Sequence, residues 1–321
     1  MGMQKIFRTD KNSPSLAIEA PAKVNLHLAV KNRRSDGFHN LESIFLALEF
    51  GDTLFFEQVP ADNFLEIVMK GENSANLALP QEKNIIFRAV SLFRNRTGYN
   101  QGLRIRVEKR IPLGGGLGGG SSDAVSTLLA LNNLACGLLN QETLAEMAAS
   151  LGSDLPFFLC ETGAAWVSGR GEAIKPIESP KNLFFVLVNP GFPSNTAAAF
   201  ALLDEFRAGS RENHAESADK EEFLLNSLAN EPRKWPFRND FLPVFMAKAE
   251  NSASNNGKIY RDIIAQLGEL EAEFAGLTGT GSTCFGVFTN REKAEKAHKS
   301  LLKIWNLTNL TFPLAFEAKQ Y

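Results

Sequence analysis

Apolar positions recur with period two over residues 16–30, where Val24, Leu26, Leu28 and Val30 alternate with Lys23, Asn25, His27 and Ala29. That spacing predicts a strand with the second set on one face. Ser35-Asp-Gly37 is a turn signal. Further strands are predicted over 44–50 and 53–59, split at Gly51-Asp52, with a short one over 65–69. Leu103, Ile105 and Val107 mark another strand over 102–111. Helical spacing takes over at 84–96, where Asn84 suits the cap and Gly98 the stop. Helices are also predicted up to Leu134, over 141–151 ending at Gly152, and from Asp154-Leu-Pro156, where Asp caps and Pro sits in the first turn.

The second half predicts strands over 164–167, 183–188, 284–289 and 311–316, and helices over 192–207, 223–228, 260–267 and 291–305. Residues 211–222 are densely charged and read as a solvated loop or a helical extension. Lys175-Pro-Ile-Glu-Ser-Pro180 is the best candidate boundary, giving domains over 1–177 and 178–321. The expected class is α+β: a mixed sheet with helices, then an α+β sandwich.

The run Pro112-Leu-Gly-Gly-Gly-Leu-Gly-Gly-Gly-Ser-Ser-Asp-Ala124 changes this picture from architecture to chemistry, with six glycines among its thirteen residues. It stands between a predicted strand and a predicted helix. Glycine lets backbone approach an anion closely, and free N–H groups in a first helical turn favour negative charge. No Lys follows the glycines as in a P-loop, and no dinucleotide-binding unit surrounds them. A linker is the bland alternative, but linkers seldom abut a strand and a capped helix so closely.

Composition narrows the partners. The chain has 321 residues, 44% hydrophobic and 22% charged, which fits a soluble globular protein of about two domains. A net charge of −2 argues against nucleic acid, and no apolar run reaches the length of a membrane span. Three cysteines without a CxxC pair fit a reducing, cytoplasmic setting.

A phosphate cradle without a Walker lysine still needs charge neutralisation and a proton acceptor to transfer a phosphoryl group. Lys23 is a candidate for the first and Asp154 for the second, although a strand lysine is often a rim residue and an Asp before a helix is often only a cap. Thr278-Gly-Thr-Gly-Ser-Thr283 is a second glycine-rich turn with backbone and hydroxyl donors for another anionic group. His39, after the Asp36-Gly-Phe38 turn, is placed to meet a nucleobase. A ligand site is expected where Lys23 and Asn25, the glycine loop and 278–282 converge.

These residues resemble a known family. Residues 112–124 are similar to the second motif of the GHMP kinases, the superfamily of galacto-, homoserine, mevalonate and phosphomevalonate kinases. Ala20-Pro-Ala-Lys-Val-Asn-Leu26, Arg34-Ser-Asp-Gly-Phe-His-Asn-Leu41, Leu151-Gly-Ser-Asp-Leu-Pro156 and Leu277-Thr-Gly-Thr-Gly-Ser-Thr283 narrow the likeness. They point to the branch that phosphorylates the 2-hydroxyl of a cytidine diphosphate derivative of methylerythritol in the non-mevalonate isoprenoid pathway.

The resemblance implies a two-domain fold, with a ribosomal protein S5 domain 2-like N-terminal domain and a ferredoxin-like C-terminal domain. It implies ATP as donor and magnesium as its ion, with no metal ligand assigned. By position, Lys23 and Asp154 become the catalytic pair. Pro112, Leu113, Gly114, Gly115, Gly116, Leu117, Gly118, Gly119, Gly120, Ser121 and Ser122 form the ATP-phosphate loop. Asn25, Thr196, Phe200, Gly279 and Gly281 join the acceptor site, with Phe38 and His39 holding cytosine. Phe38 stands where relatives often have Tyr, which keeps ring stacking and removes a phenol hydrogen bond. A small-molecule acceptor without nucleic acid or membrane is expected, in a monomer or weak homodimer. Another GHMP kinase, such as a homoserine kinase, and a non-catalytic nucleotide binder stand as alternatives.

Overall fold

The computed structural model describes residues 3–8, 15–71, 80–209, 221–251 and 256–314. Nearly all of the charged run at 211–222 therefore lies outside the described residues. A seven-stranded sheet contains β1 (Ile6–Arg8), β2 (Ser15–Arg33), β3 (His39–Val59), β4 (Leu65–Lys70), β5 (Gly102–Glu108), β6 (Ala164–Ser168) and β7 (Ala173–Ile177). Its order is β1-β2-β3-β5-β4, with β6 also on β3 and β7 on β6. A second, antiparallel sheet of four strands runs β11-β8-β10-β9, from β8 (Phe184–Asn189), β9 (Phe274–Leu277), β10 (Cys284–Phe288) and β11 (Leu307–Thr311). The helices are α1 (Ile85–Thr97), α2 (Gly119–Leu134), α3 (Gln141–Leu151), α4 (Thr196–Gly209), α5 (Glu221–Ser227), α6 (Phe241–Asn251), α7 (Asn256–Glu269) and α8 (Arg291–Leu301). Among the described residues, no helix is long and apolar enough to cross a membrane.

Apolar packing forms layers. One face of the large sheet packs α1 to α3 through Phe56, Ile105, Val125 and Leu128. Part of its other face, at Val24, Leu26, Ile44 and Leu46, shares a core with Phe185, Leu187 and Phe285 of the small sheet. The far face of the small sheet packs α7 and α8 through Ile263, Leu267, Ala294 and Leu301. Strand β2 is thus covered on both sides, which explains its nearly unbroken burial.

The period-two expectation for β2 fails after Asn25. The β2–β3 register shifts at Asn25/His27, leaving Leu26 as an extra residue. A bulge of this kind swaps the faces of all later positions. Lys23 and Asn25 therefore share a cavity wall with Leu28, not with His27. His27 turns to the other side, edge-on to Phe237 at 6.1 Å.

The two strands expected on either side of Gly51 are one, β3. Gly51 stands opposite Pro21, and a Cβ there would lie 2.3 Å from the Ala20 carbonyl oxygen, so close approach rather than a turn requires glycine. Helix α4 starts at Thr196 instead of 192, because Pro193 and Ser194 stay in the loop and Asn195 accepts the Ala198 N–H at 3.0 Å. Asp154 opens only a 3-10 helix, Leu155–Leu159, and its side chain makes no capping hydrogen bond. Helix α6 was not foreseen, and the last strand precedes the expected 311–316, whose end lies outside the described residues.

Helix α1 ends as its sequence predicts, with Gly98 at φ 73° and its N–H donating to the Arg94 carbonyl. Nothing lies near the position of an added Cβ there. Gly98→Ala should therefore cost about 1–2 kcal/mol from backbone conformation alone, and Gly98→Asn less. Urea denaturation checks the order; equal midpoints for both variants would contradict it.

Candidate active site

The glycine loop connects β5 to α2. Gly116 and Gly118 have φ of +76° and +71°, in the left-handed region. A Cβ on Gly116 would meet the Thr278 carbonyl oxygen at 2.4 Å, and one on Gly118 would press on Lys23 and Phe158 at 3.0 Å. Conformation and space both demand glycine. Gly118 is also the N-cap of α2 and offers no side-chain cap, so no capping side chain takes the first-turn N–H groups. Residues 112–121 line a cavity of about 280 Å³ together with Ile85, Lys109 and Ile111. Ser122 lies buried beside it, and its hydroxyl has no partner among the described residues.

A larger cavity of about 940 Å³ adjoins the loop and shares Gly116 and Gly118 as wall. Lys23, Asn25 and Asp154 line it, as do Phe38, His39, Thr196, Phe200 and Gly279. Distant stretches of sequence thus meet around one space. Gly281 is not on this wall; a Cβ there would lie 2.8 Å from the Tyr260 hydroxyl, and Thr280 faces the cavity instead.

At the loop end, the Lys23 ammonium donates to Asn25 Oδ1 at 2.6 Å, stands 4.5 Å over the Phe45 ring and lies 4.0 Å from Asp154 Oδ2. The Lys23 side chain is 5% exposed and that of Asp154 41%. Burial pushes the Lys23 pKa down, and the Asp154 charge opposes it without winning. The half-exposed carboxylate is too far and too well hydrated to offset desolvation of the ammonium. Asn25 Nδ2 donates to Ser43 Oγ at 2.9 Å, and Thr278 Oγ1 accepts the Asn25 backbone N–H at 3.0 Å. The second glycine turn is thereby tied to the strand that carries Lys23.

At the other end, His39 is buried and stacked on Phe200, centroids 5.2 Å apart at 22°. Its Nε2 lies 2.8 Å from Asp204 Oδ1. Phe38 is 56% exposed and lies under the Arg170 guanidinium at 5.2 Å. One exposed ring, one buried imidazole and one stacked ring make a site for a planar heteroaromatic group.

Comparisons with known proteins bear on the family and the fold. The model of the GHMP kinases N terminal domain matches residues 84–162, and that of the GHMP kinases C terminal region matches 245–306. A 4-diphosphocytidyl-2-C-methyl-D-erythritol kinase of Treponema pallidum subsp. pallidum is 36% identical over 298 residues, covering 91% of this chain and 96% of that protein. One of the same description from Thermodesulfovibrio yellowstonii is 34% identical over 302 residues, covering 90% and 95%. A crystal structure of 4-(cytidine 5'-diphospho)-2C-methyl-D-erythritol kinase superposes with a TM-score of 0.71 at 30% identity, covering 92% of this chain and 98% of that one. The chain belongs to the 4-diphosphocytidyl-2-C-methyl-D-erythritol kinase family of GHMP kinases. Its fold is the two-domain α+β fold of the GHMP kinases.

Several residues of the site were not singled out by the sequence reading. Arg170 and Asp204 reach the cavity from a hairpin and from the third turn of α4. Asn239 donates to the carbonyls of Leu277 and Gly279 at 2.8 Å, and Asp240 accepts the Val30 N–H at 2.9 Å, so the start of α6 holds both the second glycine turn and β2.

Behind the phosphate loop, Lys109 Nζ donates to carboxylates of Asp52 and Asp123, all three buried. Asp52 Oδ1 also accepts the backbone N–H groups of Arg110 and Ile111, which fixes the strand end where the loop begins. Asp123 Oδ1 has no partner among the described residues. Burial pushes the Asp123 pKa up to about 7, against the pull of Lys109. The folded protein therefore keeps a proton that the unfolded chain releases near the ordinary Asp value. Stability from this group is full below the unfolded pKa and is lost as pH rises to about 7. Asp123→Asn removes the titration, so the wild-type Tm should fall relative to that of the variant between about pH 4 and pH 7. A Tm difference independent of pH would show that Asp123 ionises freely.

Proposed function

We propose that this protein transfers the γ-phosphate of ATP to the 2-hydroxyl of 4-diphosphocytidyl-2-C-methyl-D-erythritol, giving the 2-phosphate and ADP. One observation carries the reading. A single cavity has a buried lysine, a carboxylate and a glycine loop at one end, and stacked aromatic groups at the other. The relatives named above are kinases of that same acceptor. In this reading the loop and the first turn of α2 hold the ATP phosphates, and His39, Phe38 and Phe200 hold cytosine.

The acceptor hydroxyl lies between Lys23 and Asp154. Asp154 takes its proton as the oxygen–phosphorus bond forms and the bond to the ADP oxygen breaks. Lys23, desolvated and anchored by Asn25, places positive charge where the transferring group gathers negative charge. Magnesium, the usual ion of such kinases, keeps several waters and needs only one or two protein oxygens besides phosphate. The Ser122 hydroxyl, without a partner among the described residues, is an oxygen donor of that kind beside the loop. When bound, the ion would neutralise phosphate charge.

ADP release with ATP, Mg²⁺ and each acceptor tests the reaction. Release with the cytidylyl acceptor, and none with homoserine or mevalonate, is expected; release only with one of the latter would discard the cytosine pocket. Lys23→Ala and Asp154→Asn should each lower kcat by about 10²-fold or more, with ATP affinity nearly unchanged. Equal loss of ATP binding would make these residues structural.

A further inference from the structure

Three cationic side chains line the large cavity among the described residues: Lys23, Arg33 and Arg170. The acceptor proposed above carries a diphosphate between its two recognised ends, with a negative charge on each phosphate. Lys23 is buried and engaged with Asn25 and Asp154. Arg33 donates to the Gly37 carbonyl at 3.2 Å and leans on Asp204 at 3.8 Å. Arg170 is placed differently.

Arg170 sits in the turn between β6 and β7. Gly171 N–H donates to the Ser168 carbonyl and Leu41 N–H to the Gly169 carbonyl, so the turn is closed and docked on β3. On one side the turn touches the phosphoryl end of the site, since a Cβ on Gly171 would lie 2.9 Å from Asp154 Oδ1. On the other side the Arg170 guanidinium covers the ring of Phe38, the residue before His39. Arg170 therefore spans the interval between the reacting hydroxyl and the base. Its paired carboxylate, Glu172, is 3.9 Å away, and both side chains are about 40% exposed. Exposed pairs of this kind are weak and yield to a better anion. A planar guanidinium forks onto two phosphate oxygens, and the cation–π contact with Phe38 restricts where it sits.

We propose that Arg170 binds the diphosphate of the acceptor and aligns its two ends. The inference rests on the acceptor reading above, and its test separates the two. Calorimetry would compare CDP, cytidine and ATP on the wild type, Arg170→Ala, Arg170→Met and Arg170→Lys. CDP should bind about tenfold or more weakly to the Ala and Met variants, with partial recovery in Lys, while cytidine and ATP are unmoved. KM for the full acceptor should rise by a similar factor, with a smaller change in kcat.

Equal weakening of CDP and cytidine would mean that Arg170 acts only through Phe38, and the Met variant, which keeps the aliphatic stem, guards against a packing defect in the Ala variant. Weaker ATP binding would reassign Arg170 to the donor phosphates. Unchanged CDP affinity would remove it from the site. A wild type that binds neither CDP nor cytidine would overturn the acceptor pocket itself, and this proposal with it.

Discussion

The apolar joint between the two sheets fixes everything above it. Val24 and Leu26 of β2 and Ile44 and Leu46 of β3 bury against Phe185, Leu187 and Phe285 of the small sheet. Burial of this many large side chains is the dominant cohesive term, at about 25 cal/mol per Å² of apolar surface. The joint sets the height at which the turn after β9 meets β2. Thr278 Oγ1 then accepts the Asn25 N–H and lies 3.2 Å from the Gly116 carbonyl, so a few polar contacts register strand, loop and turn. These contacts contribute little net energy but specify position, because each is buried and costly to leave unmade.

The same joint creates the electrostatic character of Lys23. A lysine on a strand covered from both faces loses water, and its carboxylate neighbour is not close enough to restore the balance. The bulge at Leu26 keeps this arrangement local. Lys23 and Asn25 share the cavity, after which the strand reverses phase and Leu28 and Val30 close a small apolar cluster with Ala199, Leu203 and Phe241. One extra residue lets a single strand serve a polar site and three separate cores.

Much of this was legible in sequence where the signal is local. The capped helix α1, the glycine loop between β5 and α2, and the family motifs around Lys23, His39, Asp154 and Gly279 are short-range patterns, and their structural placement brings those residues to one space. What sequence hid is non-local. The bulge leaves no composition signature, because Leu26 fits either face. Gly51 looks like a turn but answers to the Ala20 carbonyl on another strand. The Lys109–Asp52–Asp123 cluster joins residues 57 and 14 positions apart, which no spacing rule connects. Arg170 reads as a hairpin residue until β6 is laid against β3.

The phosphate loop shows why so many distant contacts converge on one short stretch. A glycine run is the most costly segment of chain to order, since glycine loses the most conformational entropy. Here its carbonyls are claimed by three separate segments. Gly114 O accepts from Ser194 N–H at 2.8 Å, Gly115 O from Thr283 N–H at 3.1 Å and Leu117 O from Lys23 N–H at 2.9 Å. Each bond draws a carbonyl into protein and fixes the orientation of its peptide. Two of the three donors belong to the C-terminal half and the third to β2. A loop held this way needs little rearrangement to meet an anion, so binding energy is not consumed in ordering it. The joint between the sheets and the loop's readiness for phosphate are therefore one property: loosening the first would release the carbonyls and undo the second.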